Sequence, residues 1–131
     1  MARSASLELL APRADVWAFL AEPYHLPDWW PGLTGVEPDR RGLSPGARWK
    51  AIVAKRNVFT GARPVETLVL VQDVEPYERI AFHVLATKQD AEVRLHAAAP
   101  NRTRVTVEVS RGSPERAVRR LYDLVQTAAP P

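Results

Sequence analysis

Between Ser6 and Leu10 apolar and polar residues alternate, the period-two signature of a strand with one buried face. Pro12 opens a different rhythm. Val16, Phe19 and Leu20 fall at i, i+3 and i+4 with Trp17 and Ala21 alongside, which predicts a helix from Pro12 to Glu22 stopped by Pro23. The stretch Tyr24 to Gly32 has room for one helical turn between prolines and carries Trp29 and Trp30, so it reads as a short capping element. Beyond Gly32 the texture is that of strands: a short one near Gly35–Arg41, then Ala47–Lys55, Ala62–Val74, Glu78–Ala86, Ala91–Ala97 and Thr103–Ser110. The turns between them are too short for parallel crossovers, so the sheet is an antiparallel meander. Ser113 as N-cap and Pro114 at the first helical position open a final helix of about fifteen residues. Its apolar stripe is Val118, Leu121, Tyr122 and Val125, and the opposite face holds Arg116, Arg119, Arg120 and Asp123.

This order of elements is an α+β plan: a curved antiparallel sheet of about six or seven strands wrapped around the C-terminal helix, with two short helices after the first strand. The 131 residues fit one domain spanning 1–131. A strongly twisted sheet cannot touch one helix everywhere, so the plan predicts a gap between them that serves as a pocket.

Composition narrows the chemistry. Cysteine is absent, which removes disulfides and thiolate sites and fits a reducing compartment, so a cytoplasmic location is expected. No apolar run approaches the ~18–20 residues that cross a bilayer, and stable membrane insertion is not expected. The net charge of +3 comes from basic residues scattered along the chain and interleaved with acidic ones, which does not make a nucleic-acid footprint. Three histidines without metal-ligand spacing and no glycine-rich phosphate loop leave no metal or cofactor to expect.

Several segments together resemble a known family: Leu7-Glu8-Leu9-Leu10-Ala11-Pro12-Arg13-Ala14-Asp15-Val16-Trp17, Leu26-Pro27-Asp28-Trp29-Trp30-Pro31-Gly32, Pro45-Gly46-Ala47-Arg48-Trp49, Val74 through Phe82, and Thr103 through Val109. They resemble the SRPBCC superfamily of START-like, helix-grip domains, which includes polyketide cyclase/dehydrase-like proteins and lipid-transfer domains. The resemblance implies a domain that binds a small apolar or amphipathic molecule between sheet and terminal helix. Here that helix looks short, which would leave one end of the cavity open or covered by a second copy in a homodimer.

Strand alternation and the helix stripe supply the expected lining of that cavity: Trp30, Trp49, Val53, Phe82, Val84, Leu95, Val107, Leu121 and Val125, with Phe59 as a lid at a hairpin tip. Of the two tryptophans of the capping element, one is expected to pack and one to line the mouth. The strand 65–71 is apolar on both faces, and Glu66 points into the cavity only if Leu68 and Leu70 do. Of the groups available as acid or base, His83 and His96 fall on the strand phase expected to face solvent, which leaves Tyr24, His25, Asp28 and Glu66 as catalytic candidates, none of which forms a recognisable motif. Ligand binding is therefore the first function expected. A cyclase- or dehydratase-like enzyme using the same cavity, or a protein-interaction module, are the alternatives.

Overall fold

The computed structural model describes residues 2–57, 59 and 61–128. The chain runs β1 (Arg3–Leu9), α1 (Arg13–Leu20), a 3-10 turn (Pro23–His25), α2 (Leu26–Trp29), β2 (Leu33–Glu37), β3 (Arg48–Asn57), β4 (Gly61–Glu75), β5 (Arg79–Val84), β6 (Gln89–Ala99), β7 (Arg102–Val109) and α3 (Pro114–Leu124). Every strand pairing is antiparallel, in the order β1-β7-β6-β5-β4-β3-β2. The sheet is curved and unclosed, and with its C-terminal helix it is a helix-grip fold. α3 packs on β1 and β7 and touches α2.

The helices are shorter than the periodicity suggests, and each difference has a local cause. α1 stops at Leu20 because Pro23 disfavours helical geometry in the residue before it, and Glu22 is extended at φ −85°, ψ 109°. The capping element splits into the 3-10 turn and the single turn α2, with Pro27 in the first turn of α2. Gly32, at φ +92°, then turns the chain toward β2, which begins at Leu33 and ends before the expected Arg41.

α3 has 11 residues, not fifteen. At Val125 the backbone leaves helical geometry, yet the Val125 side chain stays buried. Beyond it, Thr127 donates its hydroxyl to Asp15 and the Ala128 amide donates to the Leu10 carbonyl, both near 2.7–2.8 Å. The tail is thus tied to the start of α1 and the end of β1 instead of extending the helix.

Alternation decides which side of each strand is inside. Trp49, Ala51 and Val53 on β3, Thr67, Val69 and Val71 on β4, Ile80, Phe82 and Val84 on β5, Val93 and Leu95 on β6, and Val105 and Val107 on β7 are all buried. The strand that both patterns fitted is now resolved: Val65, Thr67, Val69 and Val71 face the helices, while Glu66, Leu68 and Leu70 face the other way. The condition for Glu66 to enter the interior is therefore not met. The two buried hydroxyls are both satisfied: Thr103 donates to the Ala11 carbonyl, and Thr67 accepts from the Ala86 amide.

Candidate functional site

An aromatic cluster stands where the sheet meets the helices. Leu26 and Trp29, three residues apart on α2, share its inward face. Trp29 meets Trp30 edge-on at 5.6 Å between ring centroids, and both meet Phe82 of β5, at 6.3 and 5.0 Å. Trp49 approaches from β3, its indole N–H donating to the Gly42 carbonyl at 2.8 Å. Together these rings close most of the gap that the curvature of the sheet would leave.

What remains is a narrow seam lined by Leu20, Glu22, Pro23, Leu26, Trp29, Leu43, Trp49, Val71, Ile80 and Phe82. Its free volume is about 10 Å³, roughly the space of one water molecule. This seam is not the open cavity expected against the terminal helix, and a separate hollow of about 210 Å³ at the start of α3 is lined by Trp30, Gly32, Val109, Ser113 and Arg116. The seam lies beneath α1, the 3-10 turn and α2 instead of beneath α3, and it is nearly filled. The cause is the short α3, which packs on β1 and β7 and touches α2, together with the bulk of Trp29, Trp30 and Phe82 on the opposite flank.

Of the residues expected to line a cavity, the seam brings together Trp49 and Phe82. Trp30 is buried beside Phe82 but does not line the seam, and Trp29 takes that place. Val53, Val84, Leu95, Val107, Leu121 and Val125 are buried in the surrounding core. Phe59 is 94% exposed, so it does not cover the seam as a lid.

The acid–base candidates are dispersed. Tyr24 is exposed on the 3-10 turn. His25 donates its Nδ1–H to the Phe19 carbonyl at 2.8 Å and stacks on the Phe19 ring at 4.2 Å, so it does not pair with Asp28. Asp28 is exposed on α2, and Glu66 is on the far face of β4. Among the described residues no hydrogen bond joins any two of the four. The ionisable group at the seam is Glu22, whose carboxylate accepts the Tyr24 amide at 3.3 Å.

Sequence reasoning passed over most of the seam, among it Leu20, Glu22, Leu26, Trp29, Leu43 and Val71. For Trp29 a signal existed, because the i, i+3 spacing from Leu26 places both on one helical face. For Leu43 there was none, since it sits in an irregular loop between β2 and β3. Among the described residues no three His, Asp or Glu side chains gather as a metal site requires, and no helix is long and apolar enough to cross a membrane.

Comparison with known proteins adds the following. The family model for polyketide cyclase/dehydrase and lipid transport matches residues 4–128. A structure from Nitrosomonas europaea superposes with a TM-score of 0.70 at 17% identity, covering 95% of this chain and 93% of that one. One from Chromobacterium violaceum gives 0.70 at 14%, covering 96% and 98%, and one from Deinococcus radiodurans gives 0.66 at 21%, covering 92% and 90%. At these identities the likeness shows the fold. No curated protein matches the chain in sequence.

Proposed function

The chain belongs to the polyketide cyclase/dehydrase and lipid transport family, and from that premise we propose that it binds one small apolar or amphipathic molecule, of lipid, isoprenoid or polyketide-like kind, in an opened form of the seam. What supports this is the chemistry of the wall: eight of its ten side chains are aliphatic or aromatic apart from Pro23, and a single carboxylate, Glu22, stands with them. That is the make-up of a site which drives binding by apolar burial and orients its ligand with one polar contact.

Ligand pockets usually hold ~300–1,000 Å³, far above the 10 Å³ of the seam. Binding therefore has to displace part of the wall. The strands are held by continuous ladders on both sides, so the yielding part is the segment Pro23–Trp29 with the loop around Leu43. As that segment lifts, Trp30 and then Val53, Val84, Leu95, Val107, Leu121 and Val125 become the deeper wall.

The test uses N-phenyl-1-naphthylamine, a neutral apolar fluorophore that accepts energy from the tryptophans. One molecule per chain is expected by native mass spectrometry. Phe82→Leu, which enlarges the seam, should change the affinity about threefold or more, whereas Ile52→Glu on the far face of the sheet should leave it unchanged. The opposite pattern, loss of binding with Ile52→Glu and no effect of Phe82→Leu, would place the ligand elsewhere and overturn the proposal.

A further inference from the structure

The far face of the sheet is not uniform. Over β5 to β7 and β1 many of its polar groups pair with one another or with the end of β4: Arg79 with Asp73, Glu75 and Glu92, Arg94 with Glu92, His83 with Asp90, and Ser6 with Thr106. Over β2 to β4 it is different. A groove of about 690 Å³ lies there, lined by Gly35, Glu37, Lys50, Ile52, Glu66, Leu68 and Leu85 among others. Ile52 is 41% exposed and Leu85 50% exposed, and among the described residues no ion pair involves Glu37, Lys50 or Glu66.

The strand register fixes how these groups are arranged. Lys50 stands opposite Leu68 and Ile52 opposite Glu66, across the β3–β4 ladder. Neighbouring strands are ~4.8 Å apart and alternate residues on one strand ~6.8 Å apart. The four side chains therefore mark the corners of a near-rectangle, with Lys50 and Glu66 on one diagonal and Ile52 and Leu68 on the other. Leu85, whose amide donates to the Leu68 carbonyl at 3.0 Å, prolongs the apolar diagonal over β5. At its other end Gly35 stands opposite Ile52 and leaves a notch, since a Cβ there would only just touch Ile52 at 4.0 Å.

A two-fold axis lying along that apolar diagonal carries each charged corner to within about 3 Å of the other, an offset that the long Lys50 and Glu66 side chains can span. Two copies of the chain placed face to face about it set Lys50 over Glu66 of the partner subunit, and Glu66 over Lys50 of the partner subunit. Ile52, Leu68 and Leu85 then meet their own counterparts. Self-complementarity of this kind is what an isologous interface requires, and an exposed apolar strip rimmed by charges unpaired within the chain is what such an interface would cover. We propose that this face, centred on Ile52 and Leu68, is the interface of a homodimer, held in register by reciprocal Lys50–Glu66 ion pairs.

Sedimentation velocity across a concentration series tests it with four variants of the full chain: Ile52→Glu, Lys50→Glu, Glu66→Lys, and the double swap Lys50→Glu with Glu66→Lys. All three sites are on the outer face, and circular dichroism checks that each variant keeps its fold. The wild type should reach twice the mass of the chain. Ile52→Glu and each single charge reversal should raise the dissociation constant more than about tenfold, while the double swap should restore it. A wild type that stays monomeric, or a dimer indifferent to Ile52→Glu, would overturn the interface. Loss in both single reversals without recovery in the swap would overturn the pairing across the axis. A small molecule filling the groove would leave a monomer, and so counts among the overturning results.

Discussion

The Thr103 hydroxyl, wholly buried, ties β7 to the start of α1 through the Ala11 carbonyl at 2.8 Å. Thr103→Val keeps the shape but leaves that carbonyl without its donor, so it should cost about 1–3 kcal/mol of unfolding free energy, read by urea denaturation. Glu92 makes a prediction of a different kind. Its carboxyl is held below the ordinary 4.5, first by the bidentate hydrogen bonds from Arg94 and then by the charge of Arg94 and by Arg79. A carboxyl whose folded value is depressed stabilises the fold above its unfolded value, and that contribution disappears as pH falls through the folded value. Glu92→Gln should therefore lower the melting temperature at neutral pH, and the difference should shrink as the medium is made more acidic than the lowered value of that carboxyl. Melting curves at neutral and acid pH check this, and an equal loss at both would show that packing, not charge, is at work.

At the scale of elements, the strands were legible because one face is buried and the other wet, and a period of two holds along each run until a bulge such as that after Val71 shifts its phase. The order of elements followed from turn lengths alone. β4 was the exception. Its far face carries Leu68 and Leu70, so alternation could not tell its two sides apart, and one of the two residues that blurred the pattern, Leu68, is at the centre of the proposed interface. Which of Trp29 and Trp30 lines the seam was not legible for a related reason: Leu26 stands three residues before one and four before the other, so both share its side of the turn, and both are buried. The fill of the seam was beyond the sequence, because patterning names the residues that face a gap but not whether their volumes close it. If Trp29 is the ring that closes it, Trp29→Ala should destabilise the protein by about 3–5 kcal/mol in chemical denaturation. Occupation of the vacated space by N-phenyl-1-naphthylamine should recover part of that loss. A cost below about 1 kcal/mol would mean that α2 does not bear on the seam at all.

For the whole molecule, a sheet fastened along both sides and a capping segment fastened at few points divide the work between them. β6 and β7 carry long ladders to two neighbours each, whereas Pro23–Trp29 has short internal turns, the contacts of Leu26 and Trp29, and the His25 bond to Phe19. Local openings follow such differences, so the amides of Tyr24 to Trp30 should exchange with deuterium well before those of Val93 or Val107. The apparent affinity for any ligand of the seam is lowered by the rarity of the open state. A probe held by the opened seam must then slow exchange in the same segment, since a ligand that binds the open form and rebuilds contacts around itself changes how that segment fluctuates. Exchange mass spectrometry with saturating N-phenyl-1-naphthylamine should accordingly show protection at 24–30 and around Leu43, with β6 and β7 unchanged. Protection confined to β2, β3 and β4 would instead put the molecule on the far face of the sheet, where it would compete with a second copy of the chain, and lowering the protein concentration would then strengthen the protection.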